Sequence, residues 1–584
     1  MNRLLVLQRC FVGCFAIVAL NLARLQVVQG RAYRRLAEQN HLRLVPSSAP
    51  RGRILDRNGL VLAGNRPSFD VVIVPQEVDD IGATLTDLAR VLGRSPESLG
   101  RVYAKGKTLP FAPVTVARDI PRETAMIIEE RRHQLPGVFV QPQALRVYPE
   151  GAAAAHVVGY IGDIDAGELA ALQEYGYRIR DRVGKTGIER RYDAYVRGEA
   201  GGTMVEVDHR GRFMRIRGVR EAAPGKDIQL TVIGWLQRRA TELLANRRGA
   251  CVVLDAHTGE VLALVSSPAF NPNTFLDPDS AGRQAILTAQ DSPMLERAAG
   301  AAFTPGSIFK IVTASAGLES RHVTPLVSVT CRGALTLGRD AMKCWKLDGH
   351  GPEDMRLALA HSCNVYFGQV GLWTGPALLH TWALEYGLGR ATGIELPGEA
   401  AGAVPGPSWF ERRRWYAGDT AHLAIGQGGL LLSPLQAAVM TAAIANGGWA
   451  VKPHLVRAIG GIVVAGQTAR RLPLSPETLA VIRSGMEAAV ALPDGTGHLA
   501  HAAHVRVAAK TGTAQTQIVG HPHGWFVGYA PAEEPQIVVV VLLEHGGSGG
   551  QWPTDIARQL IDAWAMMREQ PQAPPEAAAA EHVA

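Results

Sequence analysis

A long apolar run lies close to the N-terminus. Cys10 to Ala23 is almost entirely apolar, and Leu4 to Leu7 extends the run to about the length of one bilayer-spanning helix. We interpret it as an uncleaved membrane anchor, because no convincing small-x-small cleavage site precedes Arg24. A cleaved signal peptide and a buried core helix are the alternatives. Arginines lie on both sides of the run, so the positive-inside rule does not favour export of the segment that follows. They are Arg3, Arg9, Arg24, Arg31, Arg34 and Arg35.

Mixed strand and helix patterns follow this segment. Ile54 and Leu55 form a short strand-like pair before Asn58-Gly59, a dipeptide typical of tight turns. Ser68 to Pro75 has the composition of a second strand. The patterns continue to Pro224-Gly225-Lys226, where turn-forming residues interrupt them. This break predicts a domain boundary near residue 226.

Strand-like segments lie at both ends of the chain beyond this boundary. Cys251 to Leu254 and Val261 to Val265 flank turn residues and predict a hairpin. Residues 305–448 carry mainly helix signals, including a helix capped by Ser433 with Pro434 in its first turn. We therefore predict an α+β fold with an antiparallel sheet flanked by helices. Three more strands are predicted near the C-terminus, at Val505 to Ala509, Trp525 to Tyr529 and Ile537 to Leu543.

Length and composition indicate a multidomain globular protein. The chain has 584 residues, which is more than one hydrophobic core usually organises. Positive charges exceed negative charges by only seven, and no basic stripe is interleaved with aromatic residues. We therefore predict no nucleic-acid partner. The Pro- and Ala-rich segment after Gln570 predicts a disordered tail.

The first motif with candidate chemistry is Ser-Ile-Phe-Lys at residues 307–310. It lies at or near the start of a predicted helix that runs from Ile308 to Leu318. Residues three apart share a helix face, so the Lys310 amine can reach the Ser307 hydroxyl. A serine hydroxyl is a poor nucleophile at neutral pH, and a desolvated lysine with a lowered pKa can activate it. Taken alone, this motif also occurs by chance in many helices.

Two further motifs follow in order along the chain. In Ser362-Cys363-Asn364, the serine is a candidate proton shuttle to a leaving amine, and the Asn364 amide can hold Lys310 and a substrate amide. Lys510-Thr511-Gly512-Thr513 continues a predicted strand, whose edge can pair with an extended peptide. The ordered trio therefore predicts an acyl-transfer site.

The third motif has a defined part in that prediction. Lys510 and the hydroxyls of Thr511 or Thr513 can bind a carboxylate, and Gly512 allows the substrate to approach closely. The backbone N–H groups of Thr513 and Ser307 can form an oxyanion hole.

A second Lys-Thr-Gly sequence occurs earlier in the chain, without the context of the first. Lys185-Thr186-Gly187 precedes the serine and does not follow an apolar strand, so we assign it no catalysis. We also assign no role to three acidic residues that show no paired-carboxylate pattern, namely Glu353, Asp354 and Asp419.

With these motifs the chain resembles a class B penicillin-binding protein, and most closely the elongation-specific penicillin-binding protein 2 group. The resemblance extends over nearly the whole chain, and no glycosyltransferase module is visible. Further matching segments are residues 50–59, 146–149, 187–189 with Tyr192, 205–207 and 525–531.

The resemblance implies a domain order and an activity. Residues 1–28 would be a cytoplasmic tip and transmembrane anchor, 29–226 a non-catalytic pedestal (dimerisation-type) domain, 227–568 the transpeptidase domain and 569–584 the disordered tail. Ser307 would attack the penultimate D-Ala of a peptidoglycan stem peptide, and an amine or water would resolve the acyl-enzyme, giving transpeptidase or carboxypeptidase activity. β-Lactams would acylate the same serine.

The resemblance also implies site residues, partners and a location. The catalytic residues would be Ser307, Lys310, Ser362 and Asn364, and the substrate-binding residues Lys510, Thr511, Gly512 and Thr513. Partners would be a RodA-type membrane glycosyltransferase and cell-shape proteins, with the chain in the inner membrane and its catalytic domain in the periplasm. No organic cofactor is expected.

Three cysteines and a histidine lie among the catalytic motifs. Cys331, Cys344, His350 and Cys363 do not follow a common zinc-finger spacing, so disulfides or buried thiols are alternatives from the spacing alone. Some members of the resembling group carry a zinc site built from carboxylates, a histidine and the cysteine of the second motif. Cys363 and His350 match those positions, and Cys331 and Cys344 would replace carboxylates, so the resemblance implies one structural zinc ion held by these four residues. Asp340 and Asp348 are the substitute ligands.

Two rival functions remain open at this point. A serine β-lactamase or β-lactam sensor shares the motif trio, but the long N-terminal part argues against a secreted β-lactamase. A non-catalytic scaffold within an elongation complex is the other rival, and an unreactive Ser307 would favour it.

Overall fold

The computed structural model describes residues 2–569 except 31–41, 48, 108–112, 180, 208–212, 277–279, 413, 465, 467, 468, 517 and 519. The tail predicted to be disordered lies, from residue 570 onward, outside the described residues. The strands are β1 (Leu42–Ser47), β2 (Ile54–Leu55), β3 (Val61–Ile73), β4 (Val114–Ile120), β5 (Val138–Val147), β6 (Ile161–Asp163), β7 (Arg182–Gly184), β8 (Gly201–Val207), β9 (Phe213–Arg220), β10 (Ile228–Leu230), β11 (Gly249–Asp255), β12 (Val261–Ser267), β13 (Val329–Cys331), β14 (Ala334–Leu337), β15 (Asp340–Lys343), β16 (Gly351–Glu353), β17 (Trp449–Ala450), β18 (Val456–Ile459), β19 (Ile462–Val463), β20 (Arg470–Arg471), β21 (Ala508–Ala514), β22 (His523–Ala530) and β23 (Ile537–Leu543).

The helices are α1 (Asn2–Ala23), α2 (Ile81–Leu92), α3 (Pro96–Gly106), α4 (Arg122–Glu130), α5 (Ala155–Val158), α6 (Ala166–Leu172), α7 (Gly187–Arg191), α8 (Asp193–Val196), α9 (Gly234–Leu244), α10 (Ala281–Thr288), α11 (Lys310–Glu319), α12 (Met355–Ala360), α13 (Asn364–Thr374), α14 (Pro376–Glu385), α15 (Pro407–Arg412), α16 (Ala417–Ala424), α17 (Pro434–Ala445), α18 (Pro476–Ala491) and α19 (Trp552–Glu569).

The N-terminal helix has no apolar partner within the described chain. α1 continues through a π-helical turn at Arg24–Val28, and the segment Leu5–Val28 is long and apolar enough to cross a membrane. Its large side chains are exposed, for example Phe15 at 78%. Exposed apolar side chains along a helix of this length fit lipid better than water.

The chain divides into two compact units. The first consists of Met1–Gly52, Asn65–Val147 and Arg197–Lys226, and the second of Arg53–Gly64, Tyr148–Val196 and Asp227–Ala584. Both units are therefore assembled from separate stretches of sequence. The domain limits at residues 28, 226 and 568 stay predictions.

The first unit contains a helix-covered sheet. β3 pairs with β4 in antiparallel fashion, and β5 also pairs with β3. Val71 and Ile73 of β3 share a buried core with Leu88 of α2 and Leu99 of α3. The predicted strand at Ser68 to Pro75 is confirmed, but β3 begins earlier, at Val61. A separate antiparallel sheet in this unit has the order β1-β8-β9.

The second unit is built around a five-stranded antiparallel sheet in the order β12-β11-β23-β22-β21. The predicted hairpin is confirmed as β11 and β12, with Cys251 opposite Val265. The strands predicted at Trp525 to Tyr529 and Ile537 to Leu543 are also present, as β22 and β23, whereas the strand predicted at Val505 to Ala509 begins later, as β21. β23 lies beside β11. Distant parts of the sequence therefore form one sheet, as predicted.

Both faces of this sheet are buried. Val538, Val540 and Leu542 of β23 belong to one hydrophobic core, and Val539 and Val541 belong to another. Because both faces are covered, β23 is continuously apolar and does not alternate between apolar and polar residues. α17 packs on one side of the sheet, and α9 and α19 pack on the other.

α17 has the boundaries that its sequence predicts. The Ser433 side chain accepts a hydrogen bond from the Gln436 backbone N–H, and Gln436 bonds back to the Ser433 N–H, forming a capping box. Pro434 lies in the first turn, where no intrahelical N–H bond is lost.

Candidate active site

Ser307 lies in a 3-10 turn, Gly306–Phe309, that leads directly into α11. Gly306 has a φ of 57°, and a Cβ at this position would lie 2.7 Å from the Thr513 carbonyl oxygen. Glycine is therefore required here both by the backbone conformation and by the contact. The serine turn consequently packs directly against β21.

Lys310 points into the protein interior. Its amine is fully buried and donates hydrogen bonds to the Ser362 carbonyl oxygen at 2.7 Å, to Ser362 Oγ at 3.2 Å and to Asn364 Oδ1 at 2.8 Å. These contacts use the three N–H donors of a lysine ammonium. The Lys310 amine is thus held by Ser362 and Asn364 of the second motif.

Burial lowers the pKa of Lys310 to about 8, although the thiols of Cys363 and Cys344 act in the opposite direction. Moving an ammonium group out of water disfavours its charged form. A neutral amine, which can accept a proton, is therefore accessible close to neutral pH.

Lys510 lies on β21 and is also fully buried. Its amine donates to Ser362 Oγ at 2.8 Å and to the Thr511 carbonyl oxygen at 2.8 Å. Burial lowers its pKa well below the ordinary value, and the nearby charge of Lys310 lowers it further. A contact between Lys510 and Ser362 was not foreseen from the sequence, which indicated only a carboxylate-binding role.

Ser362 joins the three motifs. It lies between α12 and α13 with a φ of 54°, in the left-handed region that is uncommon for residues other than glycine. Such a conformation costs on the order of 1–3 kcal/mol and persists where surrounding contacts hold it. Here the two lysine amines hold it, and the hydroxyl is placed between them.

β21 offers a free edge to a substrate. It is the last strand of the sheet, and no described strand pairs with its outer edge. A Cβ on Gly512 would lie 2.9 Å from the Pro305 carbonyl oxygen, so this strand and the serine turn touch closely. An extended peptide bonded to β21 would thus pass next to Ser307.

The structure places the eight predicted catalytic and substrate-binding residues on three adjoining elements: the serine turn with α11, the α12–α13 loop with the start of α13, and β21. Their individual roles stay predictions. The second Lys-Thr-Gly lies elsewhere, and its Lys185 donates to Glu168 at 2.5 Å.

The predicted metal ligands also lie together. The Sγ atoms of Cys331, Cys344 and Cys363 and a ring nitrogen of His350 all lie within 4.8 Å of one another. The three cysteines are free thiols, and His350 Nε2 is buried without a hydrogen-bond partner. Thiolate sulfur and imidazole nitrogen in a closed set of four suit a structural zinc ion. The substitute ligands are exposed and are not part of this cluster; they are Asp340 and Asp348.

A buried carboxylate beside the second motif was missed at the sequence level. Glu353 is 1% exposed, and its Oε1 lies 2.8 Å from Nδ1 of His361, the residue before Ser362. The other ring nitrogen of His361 lies 3.3 Å from a carboxylate oxygen of Asp494. The position of His361 next to Ser362 was the only available signal, because no sequence pattern links it to the two carboxylates.

Comparisons with known proteins agree with this arrangement. Residues 249–562 match the model of the penicillin-binding protein transpeptidase domain, and residues 46–230 match that of the penicillin-binding protein dimerisation domain. The peptidoglycan D,D-transpeptidase MrdA of Acinetobacter baumannii is 32% identical, over 95% of this chain and 86% of the relative. MrdA of Escherichia coli strain K12 is 31% identical, over 96% of this chain and 94% of the relative.

Solved structures show the same similarity. Penicillin-binding protein 2 (PBP2) from Helicobacter pylori, solved in complex with MreC, superposes with a TM-score of 0.80 at 30% identity, covering 89% of this chain and 99% of that chain. A chain of a peptidoglycan synthase complex that coordinates polymerization and crosslinking gives a TM-score of 0.75 at 31% identity, covering 98% of this chain and 100% of that chain.

The chain thus belongs to the penicillin-binding protein transpeptidase family. Within that family its similarity is to the PBP2 members, whose curated relatives carry the name MrdA.

Proposed function

We propose that this chain is a membrane-anchored peptidoglycan D,D-transpeptidase that crosslinks stem peptides through an acyl-enzyme on Ser307. One observation carries the proposal. Two buried lysine amines, of Lys310 at the start of α11 and of Lys510 on β21, donate to the same Ser362 hydroxyl. The family membership of the chain supports the same activity.

The first half-reaction forms the acyl-enzyme. Ser307 Oγ attacks the carbonyl carbon of the penultimate D-Ala while its proton moves to the neutral Lys310 amine. The C–N bond to the terminal D-Ala then breaks, and the leaving amine takes a proton through the Ser362 hydroxyl, which the lysines hold in place. Free D-Ala and a Ser307 ester are the products.

The second half-reaction releases the enzyme. An amine on a neighbouring stem peptide attacks the ester carbonyl, loses a proton to the same group of side chains and forms the crosslinking amide as Ser307 regains its proton. Water in place of the amine would give a carboxypeptidase reaction. In both steps the N–H groups of Ser307 and Thr513 would stabilise the oxyanion.

We also propose that Cys331, Cys344, His350 and Cys363 hold one zinc ion. When bound, the ion would supply structural cross-linking only, since four protein ligands leave no open position for chemistry. Cys331 ends β13 and Cys363 caps α13, so the four residues would tie small strands to the Ser362 loop.

Metal analysis tests this zinc site. We expect about one zinc per purified chain, and less in a Cys363→Ser variant, because loss of one thiolate weakens a four-ligand site. Cys251→Ser serves as the control, because Cys251 is a buried cysteine on β11 outside the cluster. A zinc-free native protein would contradict the proposal.

Location and partners follow from the anchor and the relatives. Leu5–Val28 would span the inner membrane once, with the residues after it in the periplasm, where peptidoglycan is crosslinked. A PBP2 relative binds MreC, and another similar chain lies in a peptidoglycan synthase complex. We therefore propose a RodA-type glycosyltransferase and cell-shape proteins as partners.

Reconstitution tests the activity. The full-length protein, a RodA-type polymerase and lipid-linked disaccharide pentapeptide are incubated, and the products are separated by liquid chromatography with mass spectrometry. We expect crosslinked dimers that disappear with Ser307→Ala and remain with Ser320→Ala, which changes the serine at the C-terminal end of α11. Trimmed peptides without dimers would indicate a carboxypeptidase, and rapid penicillin hydrolysis a β-lactamase.

A further inference from the structure

A cavity of about 320 Å³ lies in the second unit between the paired strands β6 and β7 and the side chains of Phe275 and Arg283. None of its lining residues belongs to the three motifs or to the cysteine cluster. Pockets that hold small ligands generally measure roughly 300–1,000 Å³. The cavity is thus large enough for a ligand of modest size.

An aromatic cluster forms one side of the cavity. The rings of Tyr160 and Phe275, which both line it, stack with centroids 4.2 Å apart, and Phe270 packs edge-on against both. Phe270 and Phe275 are buried, whereas Tyr160 is partly exposed. Contacts with Phe270 and Phe275 thus fix the orientation of the Tyr160 ring.

Charged groups of both signs form the rest of the lining. The cations are Arg182, Lys185 and Arg283, and the carboxylates are Asp163 and Asp165. Arg182 Nε lies 3.7 Å from an oxygen of Asp163, whereas Lys185 Nζ lies 2.5 Å from an oxygen of Glu168 and 3.9 Å from one of Asp165. With Glu168, which is not a lining residue, the carboxylates balance the three cations and leave the cavity close to electrically neutral.

This combination matches the chemistry of a sugar. A pyranose ring has a face of C–H groups that packs on an aromatic ring, and its edge carries hydroxyl and amide groups that need both donors and acceptors. A phosphate or another strong anion would require an excess of positive charge, which the two carboxylates reduce.

We propose that this cavity binds a sugar unit of the glycan strand of peptidoglycan, which is uncharged where its lactyl carboxyl groups form amides with the stem peptides. The proposal rests on the proposed function, because that function makes the glycan strand the polymer that carries the substrate peptides. Holding the strand at a second place on the same unit raises the effective concentration of stem peptide at Ser307.

Binding measurements with the full-length protein test the proposal. The probe is chitohexaose, an uncharged polymer of an N-acetylated sugar of the glycan strand, titrated by calorimetry with maltohexaose as the control sugar. Hydrogen exchange with mass spectrometry then locates the protected segments. We expect binding of chitohexaose alone, with protection in the segments that contain β6, β7 and Phe275.

Two variants link binding to the cavity. Tyr160→Leu removes the aromatic face but keeps an apolar side chain, and Arg283→Ala removes one donor from the lining. We expect each to weaken glycan binding by about tenfold, since one lost contact of about 1.4 kcal/mol changes Kd by that factor. Arg321→Ala, at an exposed arginine outside the cavity, is the control, and thermal unfolding verifies that each variant is folded.

The outcomes distinguish this proposal from the proposed function. Absence of glycan binding in a protein that still reacts with penicillin at Ser307 would overturn the cavity proposal alone. Unchanged binding in both folded variants, or protection by free stem peptide or by a protein partner but not by glycan, would also overturn it.

Discussion

At the scale of single residues, the Ser362 hydroxyl is where the chemistry of the site is organised. Lys310 and Lys510 both donate to it, at 3.2 and 2.8 Å. Because both amines contact this one oxygen, their nitrogens lie no more than about 6 Å apart, where two unit charges repel each other by roughly 3 kcal/mol at an effective dielectric constant of 20. Burial disfavours both charges as well, so the pair is stable only when at least one amine is neutral. The base that Ser307 needs is the neutral form of Lys310, which becomes populated as the pH approaches about 8.

The acylation rate should therefore depend on pH. Burial lowers the pKa of Lys310 to about 8, so the amine is mostly protonated below that pH and mostly neutral above it. Because only the neutral amine can accept the Ser307 proton, the rate constant for acylation by penicillin should rise with pH through about 8. Stopped-flow measurement with a fluorescent penicillin gives this profile.

A Lys310→Ala variant provides the reference for that profile. General-base catalysis contributes roughly a hundredfold to ten-thousandfold, so the variant should acylate more slowly by a factor in that range and lose the step near pH 8. Lys452→Ala, at an exposed lysine, should keep the native profile. A native profile that is flat or falls with pH would exclude Lys310 as the base.

The order and residue types of the three motifs could be predicted from the sequence, because serine, lysine and amide groups have known chemical roles. The meeting of the two lysines at Ser362 could not be predicted. It depends on the left-handed backbone at Ser362 and on contacts between residues 148 positions apart. The Glu353–His361 pair is likewise visible only in three dimensions.

At the scale of elements, the site depends on the contact between the serine turn and β21. Gly306 and Gly512 both face backbone atoms of the opposite element, with no room for side chains. The turn places Ser307 at the start of α11, where the positive end of the helix dipole favours a developing negative charge. The geometry of the nucleophile is therefore set by backbone packing.

Gly306→Ala tests this contact. The added Cβ would lie 2.7 Å from the Thr513 carbonyl oxygen at a φ of 57°, so the turn and strand must separate. We expect a loss of about 1 kcal/mol or more in the free energy of unfolding, together with strongly reduced penicillin labelling. Denaturant titration and gel fluorescence measure the two effects.

Gly375→Ala is the matched control for the backbone strain. Gly375 has a φ of 83°, but a Cβ there would meet nothing within 4 Å. It should lose stability for the same backbone reason and still label with penicillin. Equal labelling of the two variants would show that the turn-to-strand contact does not position Ser307.

Strands and helices with strong apolar patterns were well predicted. β23 is a continuous apolar run, and α17 begins at a serine cap followed by a proline, so each lies where the sequence places it. The strand predicted at Val505 to Ala509 instead runs from Ala508 to Ala514 and contains the whole Lys-Thr-Gly-Thr motif. This polar segment is a strand because it pairs with β22. The local sequence pattern does not reveal that pairing, so the position of β21 could not be predicted from it.

At the scale of the whole molecule, the catalytic elements and the anchor belong to different units. All three motifs lie in the second unit, whereas α1 lies in the first. The described side chains of Leu5–Val28 are not buried against the rest of the protein. The anchor should consequently determine where the enzyme is located without affecting its chemistry.

Removal of residues 2–28 tests this separation. The shortened protein should no longer sediment with membranes, because its only described helix long and apolar enough to span a bilayer is gone. Its rate of acylation by penicillin in detergent solution should stay within about twofold of the native rate. A twofold change in rate corresponds to about 0.4 kcal/mol in activation free energy. A large fall in that rate would show that the helix supports the active site.

The most direct test of the central claim is to identify the residue that becomes acylated. Full-length protein is treated with penicillin and digested, and the modified peptide is sequenced by mass spectrometry. The account predicts a single adduct on Ser307 and none in a Ser307→Ala variant. An adduct on another residue, or a folded native protein that takes up no penicillin, would contradict it.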